Sequence, residues 1–221
     1  MNKKLFRTLL IIIALVMVST IMMGCGGGEE KIKVGLSFSD FATERWKPEE
    51  ELMRGLLEDL GYEVLSQEAN HDVKLQNDQI DNMVAQGVKA LIIVAEDGDA
   101  IVTSVDKAAD AGVIVIAYDR LIKTDKIAAY LSFNNVEVGR QQALGVMGAL
   151  DIDNWDVAAN GPARVVKLGG SPTDNNAILF RQGQDLIVDP YVEAGKVEIV
   201  ADQWVDNWDA ANALKLMENI L

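Results

Sequence analysis

Four short apolar runs recur along the first half of the chain, and a segment with helical periodicity follows each of the first three. The runs begin near residues 32, 62, 90 and 113. In the segments between them, apolar residues recur every three or four positions, as on the buried face of a helix. Glycine closes each of these segments, at Gly61, Gly87 and Gly112. Continuous apolar strands that alternate with helices are typical of a parallel sheet covered on both faces, so the sequence predicts an α/β fold with right-handed crossovers.

The second half of the chain repeats this alternation with fewer elements. A strand is predicted within 128–135 and a polar loop over 151–163, followed by strands near 164–170 and 197–204, with three helices among these elements. Two strands with three helices are too few to build a sheet covered on both faces, so an incomplete second lobe is expected. The predicted units are an N-terminal lobe over residues 31–134 and a partial C-terminal lobe over residues 135–221.

The first 24 residues have the pattern of a signal peptide. A basic start, MNKKLFR, precedes an apolar run of 15 residues, LLIIIALVMVSTIMM, whereas a spanning helix needs about 20. Gly24 and Cys25 follow, and a small residue before cysteine resembles the bacterial lipoprotein signal, in which Cys25 becomes the lipidated first residue. The alternative is an uncleaved membrane anchor with an incidental cysteine. Both interpretations put the rest of the chain outside the cytoplasm, behind a tether at residues 25–30.

The charge of the chain excludes one class of partner. Lys3, Lys4 and Arg7 are the only charged residues before residue 25, so 17 basic and 34 acidic residues remain beyond it. A surface this acidic repels phosphate backbones, and nucleic acid is therefore not expected as a partner.

Polar and aromatic residues follow the predicted strands. In open α/β sheets, ligands bind in the crevice outside the carboxyl ends of the strands. The strand that starts at residue 113 ends in Tyr118, Asp119 and Arg120, without Gly or Pro. A plain surface ion pair between Asp119 and Arg120 explains this end taken alone. A polar ligand is favoured because other strand ends share the chemistry, at residues 39–46, 95–99, 132–135, 169–176 and 202–208.

The residue types at these ends suit a neutral polyol. Sugar hydroxyls both donate and accept hydrogen bonds, and Asp, Asn and Arg side chains can engage two neighbouring hydroxyls at once. Sugar rings also have apolar C–H faces, which suit Trp46, Trp204 and Trp208. The alternative for WVDNW is a helix entry in which Asp206 or Asn207 caps the last helix. We expect one of its two tryptophans to pack and the other to reach the cleft.

Other chemistries find little support in the sequence. His71 is the single histidine, and neither a cysteine nor a second histidine lies near it in sequence, so no metal site is predicted. There is no G-x-S-x-G elbow or P-loop. The glycine-rich GCGGG precedes the first strand and so does not match a dinucleotide fingerprint. Neither an enzyme activity nor a cofactor is predicted.

Several stretches resemble a known family. FATERW, AYDR, GGSPTDNNAILFRQGQ and DQWVDNWDAANALKLMENIL are similar to periplasmic-type sugar-binding proteins of ABC importers, and most of all to the D-xylose binders among them. The similarity runs from about residue 31 to the end of the chain. It implies a periplasmic-binding-protein-like fold of two Rossmann-like lobes with parallel sheets that close on a monosaccharide, D-xylose, and deliver it to a membrane permease, without catalysis.

The resemblance also implies a set of contact residues. Carried over position by position, the sugar contacts are Arg45, Asp119, Arg120, Asp174, Asn176 and Trp208, with Trp46 as a further candidate. Asn134 stands where the family usually has Asp, so we expect a different hydrogen bond at the first crossing between lobes. The family's chain continues beyond residue 221, which predicts a fragment or a truncated product that binds sugar weakly. The alternative function is a sugar-sensing protein of the same fold that signals through a membrane receptor or sensor kinase.

Overall fold

Strands and helices alternate along residues 31–221, the part of the chain that this computed structural model describes. The predicted signal peptide, Cys25 and the tether lie outside the described residues. Within residues 31–221, none of the helices has the length and apolar character needed to cross a membrane.

A five-stranded parallel sheet forms the first half. Its strands lie in the order β2-β1-β3-β4-β5. Their bounds are β1, Lys33–Phe38; β2, Glu63–Glu68; β3, Ala90–Ile93; β4, Ile114–Tyr118; and β5, Ala129–Leu131. The order reverses between β1 and β3, which is the switch point where doubly wound sheets bind ligands. The predicted parallel α/β arrangement is therefore confirmed.

Three helices cover the two faces of this sheet. They are α1, Trp46–Asp59; α2, Val73–Ala85; and α3, Val102–Asp110. One face packs α2 and α3 through Ile80, Met83 and Val105 against Leu91 and Val115. The opposite face packs α1 against β1, through Trp46 on Leu36 and Phe38, with Met53 and Leu57 alongside. The glycines predicted to end these helices, Gly61, Gly87 and Gly112, all have positive φ, which favours glycine at a helix end.

The second half is a two-stranded parallel sheet with helices around it. Its elements are α4, Asn135–Ala149; α5, Val157–Asn160; β6, Ala163–Gly169; α6, Asn175–Glu193; β7, Val197–Trp204; and α7, Ala210–Ile220. The prediction of two strands here is confirmed. Helix α4 begins at Asn135, and the division into two lobes at residues 134 and 135 stays a prediction.

Helices α4 and α6 cross at very short range. A Cβ atom on Gly139 would overlap the carbonyl oxygen of Phe180, and one on Gly183 would overlap that of Val136. Because glycine has no side chain, the two backbones can touch here. This crossing holds most of the second half together.

One local prediction was wrong, and the alternative in which Asp206 or Asn207 caps the last helix is excluded. The expected polar loop contains a 3₁₀ turn at Ile152–Asn154 and the short helix α5, and it is ordered because the Trp155 indole N–H donates to the carbonyl of Gly161 at 2.8 Å. The last helix is capped neither by Asp206 nor by Asn207. Its cap is Asp209, whose carboxylate accepts the N–H of Asn212 at 2.8 Å, because Asp206–Trp208 form a 3₁₀ turn ahead of it.

Candidate functional site

A cavity of about 920 Å³ opens at the carboxyl ends of the strands. Its wall comes from the ends of β1 and β4, the loop before α2, the start of α6 and the turn after β7. All the residues predicted to touch sugar line it, namely Arg45, Trp46, Asp119, Arg120, Asp174, Asn176 and Trp208. Cavities of this size are typical of small-molecule sites. That these side chains contact a sugar stays a prediction.

Asp119 and Arg120 do not form a surface ion pair with each other. Asp119 is 7% exposed and Arg120 is 4% exposed, and each has other partners. Asp119 sits in the left-handed region at φ 62°, where its N–H donates to the carbonyl of Leu131 at 2.7 Å. The Arg120 guanidinium donates to the carbonyl of Ala95 at 3.1 Å and lies 3.5 Å from Glu96. Backbone strain of this kind clusters at binding sites.

Arg45 reaches the cavity from the residue before α1. Its Nη1 donates to the Asp119 carboxylate at 2.9 Å, and its Nε donates to Glu49 at 2.8 Å. The guanidinium also stacks on the Trp46 ring, 4.2 Å from its centroid. Tyr118 donates its hydroxyl to Glu49 at 3.0 Å, and burial together with this carboxylate raises the pKa of the Tyr118 hydroxyl. Glu49 thus fixes the direction of Arg45.

Asn176 binds the two halves of the chain together. Its Nδ2 donates to both the carbonyl and the carboxylate of Asp119 at 3.0 Å. Its Oδ1 accepts from Asn135 at 2.8 Å and from the hydroxyl of Tyr130 at 3.3 Å. The whole side chain is satisfied, so its orientation is fixed.

Asp174 is a buried carboxylate that the second half of the chain contributes to the cavity wall. It caps α6 by accepting the N–H of Asn176 at 2.9 Å, and its Oδ2 accepts the indole N–H of Trp208 at 3.1 Å. The same oxygen lies 3.4 Å from Arg120 Nε. Burial raises the pKa of this carboxyl above its ordinary value, although the charge of Arg120 acts in the opposite direction.

The tryptophans separate into different roles. Trp208 is 36% exposed, lines the cavity and meets the ring of Phe180 edge-on at 6.2 Å. It fits because Gly170 has no side chain, since a Cβ there would overlap the indole. Trp204 does not line the cavity and stacks with Arg181, 4.7 Å from its centroid. Of these two tryptophans, Trp208 is the one at the cavity, and Trp204 is as exposed as Trp208, at 38%, rather than packed in a core.

Trp46 is a core residue as well as a wall residue. It is 2% exposed and packs beside Phe38, because it opens α1 on the face that covers the sheet. Its indole N–H has no hydrogen-bond partner among the described residues, whereas Arg120 Nε lies 3.4 Å from the Asp174 carboxylate. Buried donors are rarely left unpaired in proteins, so the Trp46 N–H beside the cavity fits a ligand that offers an oxygen acceptor.

Sequence reasoning missed a cluster of titratable side chains around His71. His71 lines the cavity and lies between Asp40 and Glu96, which follow β1 and β3. Each of the three offers an atom within 4.8 Å of the others, a spacing that also occurs around metal ions. Here the carboxylates already have donors, Thr43 and Ser39 on Asp40 and Arg120 on Glu96. A guanidinium beside Glu96 opposes a second cation, so we interpret the group as an ion-pair cluster.

Comparison with known proteins agrees with this geometry. Residues 34–221 match the family described as periplasmic binding protein domain. The D-xylose-binding periplasmic protein of Escherichia coli is 37% identical over 203 residues, which are 92% of this chain and 58% of that protein. The multiple sugar-binding periplasmic receptor ChvE of Rhizobium radiobacter is 35% identical over 199 residues, covering 87% of this chain and 55% of that protein. The chain thus spans a little over half the length of these relatives.

A solved structure gives the same fold. An ABC transporter solute binding protein from Clostridium phytofermentans, with bound β-D-glucose, superposes with a TM-score of 0.79 at 33% identity, over 85% of this chain and 59% of that one. The fold is periplasmic-binding-protein-like, with parallel sheets. On the family match and these similarities, the chain belongs to the periplasmic binding protein domain family.

Proposed function

We propose that this protein is the extracytoplasmic substrate-binding component of an ABC sugar importer and that it binds D-xylose in the cavity. The proposal is based on the residues that form the wall of the cavity. Asp119 and Asn176 are buried there and hydrogen-bonded to each other, and buried Arg120 and the Trp208 indole both lie beside Asp174. The proposed role is binding and delivery to a membrane permease, without catalysis or a cofactor.

The chemistry of the wall supports a monosaccharide. Carboxylates accept hydroxyl protons, guanidinium and indole N–H groups donate to hydroxyl oxygens, and an aromatic face covers the C–H side of a ring. A phosphorylated sugar is disfavoured because Asp119 and Asp174 would face its charge. D-xylose is placed ahead of a hexose because the relative from Escherichia coli is described as a D-xylose-binding protein.

The predicted location follows from the N-terminus. We propose that residues 1–24 are a signal peptide and that lipidated Cys25 anchors the protein to the membrane. Metabolic labelling with a fatty-acid analogue is expected to mark the wild type and to spare Cys25→Ser. An unlabelled wild type would contradict the anchor and leave the sugar site untouched.

The second candidate function is sugar sensing through a membrane receptor. The relative from Rhizobium radiobacter is described as a receptor, which is the observation that favours it. A sensing role uses the same cavity, and the two functions differ only in the partner that reads the bound state. Capture by a reconstituted permease supports import, whereas capture by a sensor domain alone supports sensing.

The cavity is tested by tryptophan fluorescence during titration with D-xylose, with D-glucose as the competing sugar. Trp208→Ala is expected to reduce the sugar-dependent change and to weaken affinity about two- to tenfold, since aromatic contacts of this kind are worth about 0.5–1.5 kcal/mol. Trp204→Ala is the matched control and is expected to keep both. Equal behaviour of the two variants would contradict the assignment of the cavity as the sugar site.

A further inference from the structure

His71, the single histidine of the chain, has no part in the sugar contacts proposed above. It lies in the short loop between β2 and α2, and both it and Asn70 have left-handed backbones, at φ 61° and 48°. The loop is pinned because the His71 N–H donates to the carbonyl of Ser39 at 2.9 Å. Non-glycine residues adopt this conformation only when their surroundings impose it. This backbone conformation determines where the imidazole lies.

The imidazole of His71 lies between two buried carboxylates, those of Asp40 and Glu96. His71 Nδ1 lies 3.2 Å from Glu96 Oε2, and Nε2 lies 3.8 Å from Asp40 Oδ1. Asp40 is fully buried, and its other partners are the neutral hydroxyl of Ser39 and N–H of Thr43. Among the described residues, His71 is therefore the one group within 4.0 Å of Asp40 that can carry a positive charge. A buried carboxylate needs such a partner.

Glu96 connects this pair to the proposed sugar site. The oxygen that meets His71 also lies 3.5 Å from Arg120, so the carboxylate is shared between two cations when the imidazole is protonated. Arg120 in turn lies beside Asp174. When the imidazole is neutral, Arg120 is the one cation within 4.0 Å of Glu96 in the part of the chain that the structure describes. Its attraction to that carboxylate then competes with hydrogen bonds to a ligand.

We infer that His71 is a positioning residue whose protonation frees Arg120 to bind sugar. The inference rests on the proposed function and adds to it a dependence on pH. The charged groups that face the imidazole are Asp40, from the end of β1, and Glu96, from the end of β3, with Arg120 beyond Glu96. Protonation of an imidazole is favoured at lower pH, so sugar affinity is expected to be higher at lower pH than at higher pH.

The test measures D-xylose affinity of the full chain at pH 6, 7 and 8 by tryptophan fluorescence. Wild type is expected to bind about fivefold more weakly at pH 8 than at pH 6, within the usual range of coupling between two sites. His71→Asn tolerates the left-handed backbone and is expected to bind at the weak level at every pH. Asn70→Gly, the neighbouring control, keeps the imidazole and is expected to follow the wild-type profile.

The same experiment separates the possible failures. A flat wild-type profile, or an equal slope in His71→Asn, would overturn the role of His71 and leave sugar binding intact. Burial also raises the pKa of the Asp174 carboxyl at the site, so the comparison with the variant, and not the wild-type profile alone, decides the outcome. No xylose binding by wild type at any pH would overturn the proposed function and the positioning role together.

A second measurement needs no variant. Because the chain has one histidine, its imidazole gives a single set of NMR signals to follow against pH. If sugar binding favours the protonated ring, reciprocity requires that saturating D-xylose move the titration midpoint to higher pH. An unchanged midpoint in a sample that binds xylose would overturn the inference.

Discussion

The five-stranded sheet and the two-stranded sheet differ in how completely their apolar residues are covered. Leu36, Leu91 and Ile93 in the first sheet are fully buried, with helices packed on both faces. In contrast, most residues of strands β6 and β7 are half-buried or exposed. Apolar burial is the dominant stabilising contribution to folding. The comparison indicates that the first half carries most of the stability.

The second half is stabilised by a small apolar cluster and by contacts with the first half. Its buried residues gather around α4, α6 and the first residues of β6 and β7, and the glycine crossing of α4 with α6 joins them. At the cavity, Asn176 and Asp174 contact Asp119 and Arg120 of the first half. The proposed binding residues therefore also connect a well-covered region to a less covered one.

The largest effect is expected from a truncation in the first core. Leu91→Ala leaves a cavity where α2, α3 and the sheet meet, at a cost of about 2–5 kcal/mol in the free energy of unfolding. Leu168→Ala, in β6, removes the same atoms from a half-buried strand and is expected to cost at least 1 kcal/mol less, about the value of a buried methylene. Urea denaturation measures both. Equal losses would contradict the difference between the sheets.

A smaller effect tests the helix crossing of the second half. Alanine in place of glycine normally stabilises a helix by about 1 kcal/mol. Gly183→Ala is expected instead to lose about 1–3 kcal/mol, because its Cβ meets the backbone of α4. Gly145→Ala, also inside a helix but facing open space, is the matched control and is expected to stabilise. If the crossing is as tight as described, the melting temperature of Gly183→Ala lies below that of wild type and the melting temperature of Gly145→Ala lies above it.

The smallest effect concerns Asp174 and depends on pH. Because burial raises the pKa of this carboxyl in the folded chain, its ionisation destabilises the fold once pH exceeds the unfolded value, near 3.9. Asp174→Asn keeps a cap for α6 and removes the charge. Its free energy of unfolding, relative to wild type, should therefore rise between pH 4 and pH 7, by less than the loss at Gly183.

Asp209→Asn supplies the comparison for this prediction. Asp209 caps α7 in the same way but is exposed, so its replacement is expected to show no such rise. Urea denaturation at pH 4, 5.5 and 7 distinguishes the two. If the free energy of unfolding of Asp174→Asn, relative to wild type, instead fell as pH rose, the attraction of Arg120 would outweigh the effect of burial on the pKa of Asp174.

Periodicity predicted the first sheet and the strand ends near the cavity, whereas the individual contact residues came from the resemblance to sugar-binding proteins. Parallel strands of one sheet end at one edge, so the residues after β1, β3 and β4 lie together. The strand β6 belongs to the other sheet, so the position of Asp174 at the same cavity as Asp119 does not follow from the edge of a single sheet. Caps and short turns could not be predicted in this way, since Asp206, Asn207 and Asp209 are all good caps and only the turn geometry selects Asp209.

His71 was missed for a different reason. Its partners Asp40 and Glu96 follow predicted strands, so their position at the edge was available, but His71 reaches them through a left-handed backbone that no periodicity indicates. Trp46 could be assigned to a strand end and not to the core, because its burial depends on how α1 lies on the sheet.

Hydrogen exchange with and without D-xylose tests most directly whether one sugar site joins the two halves. The account predicts that xylose slows exchange in two segments at once, around residues 117–122 of the first half and 171–178 of the second. Slowing confined to one half, or exchange that xylose leaves unchanged in both, would contradict it.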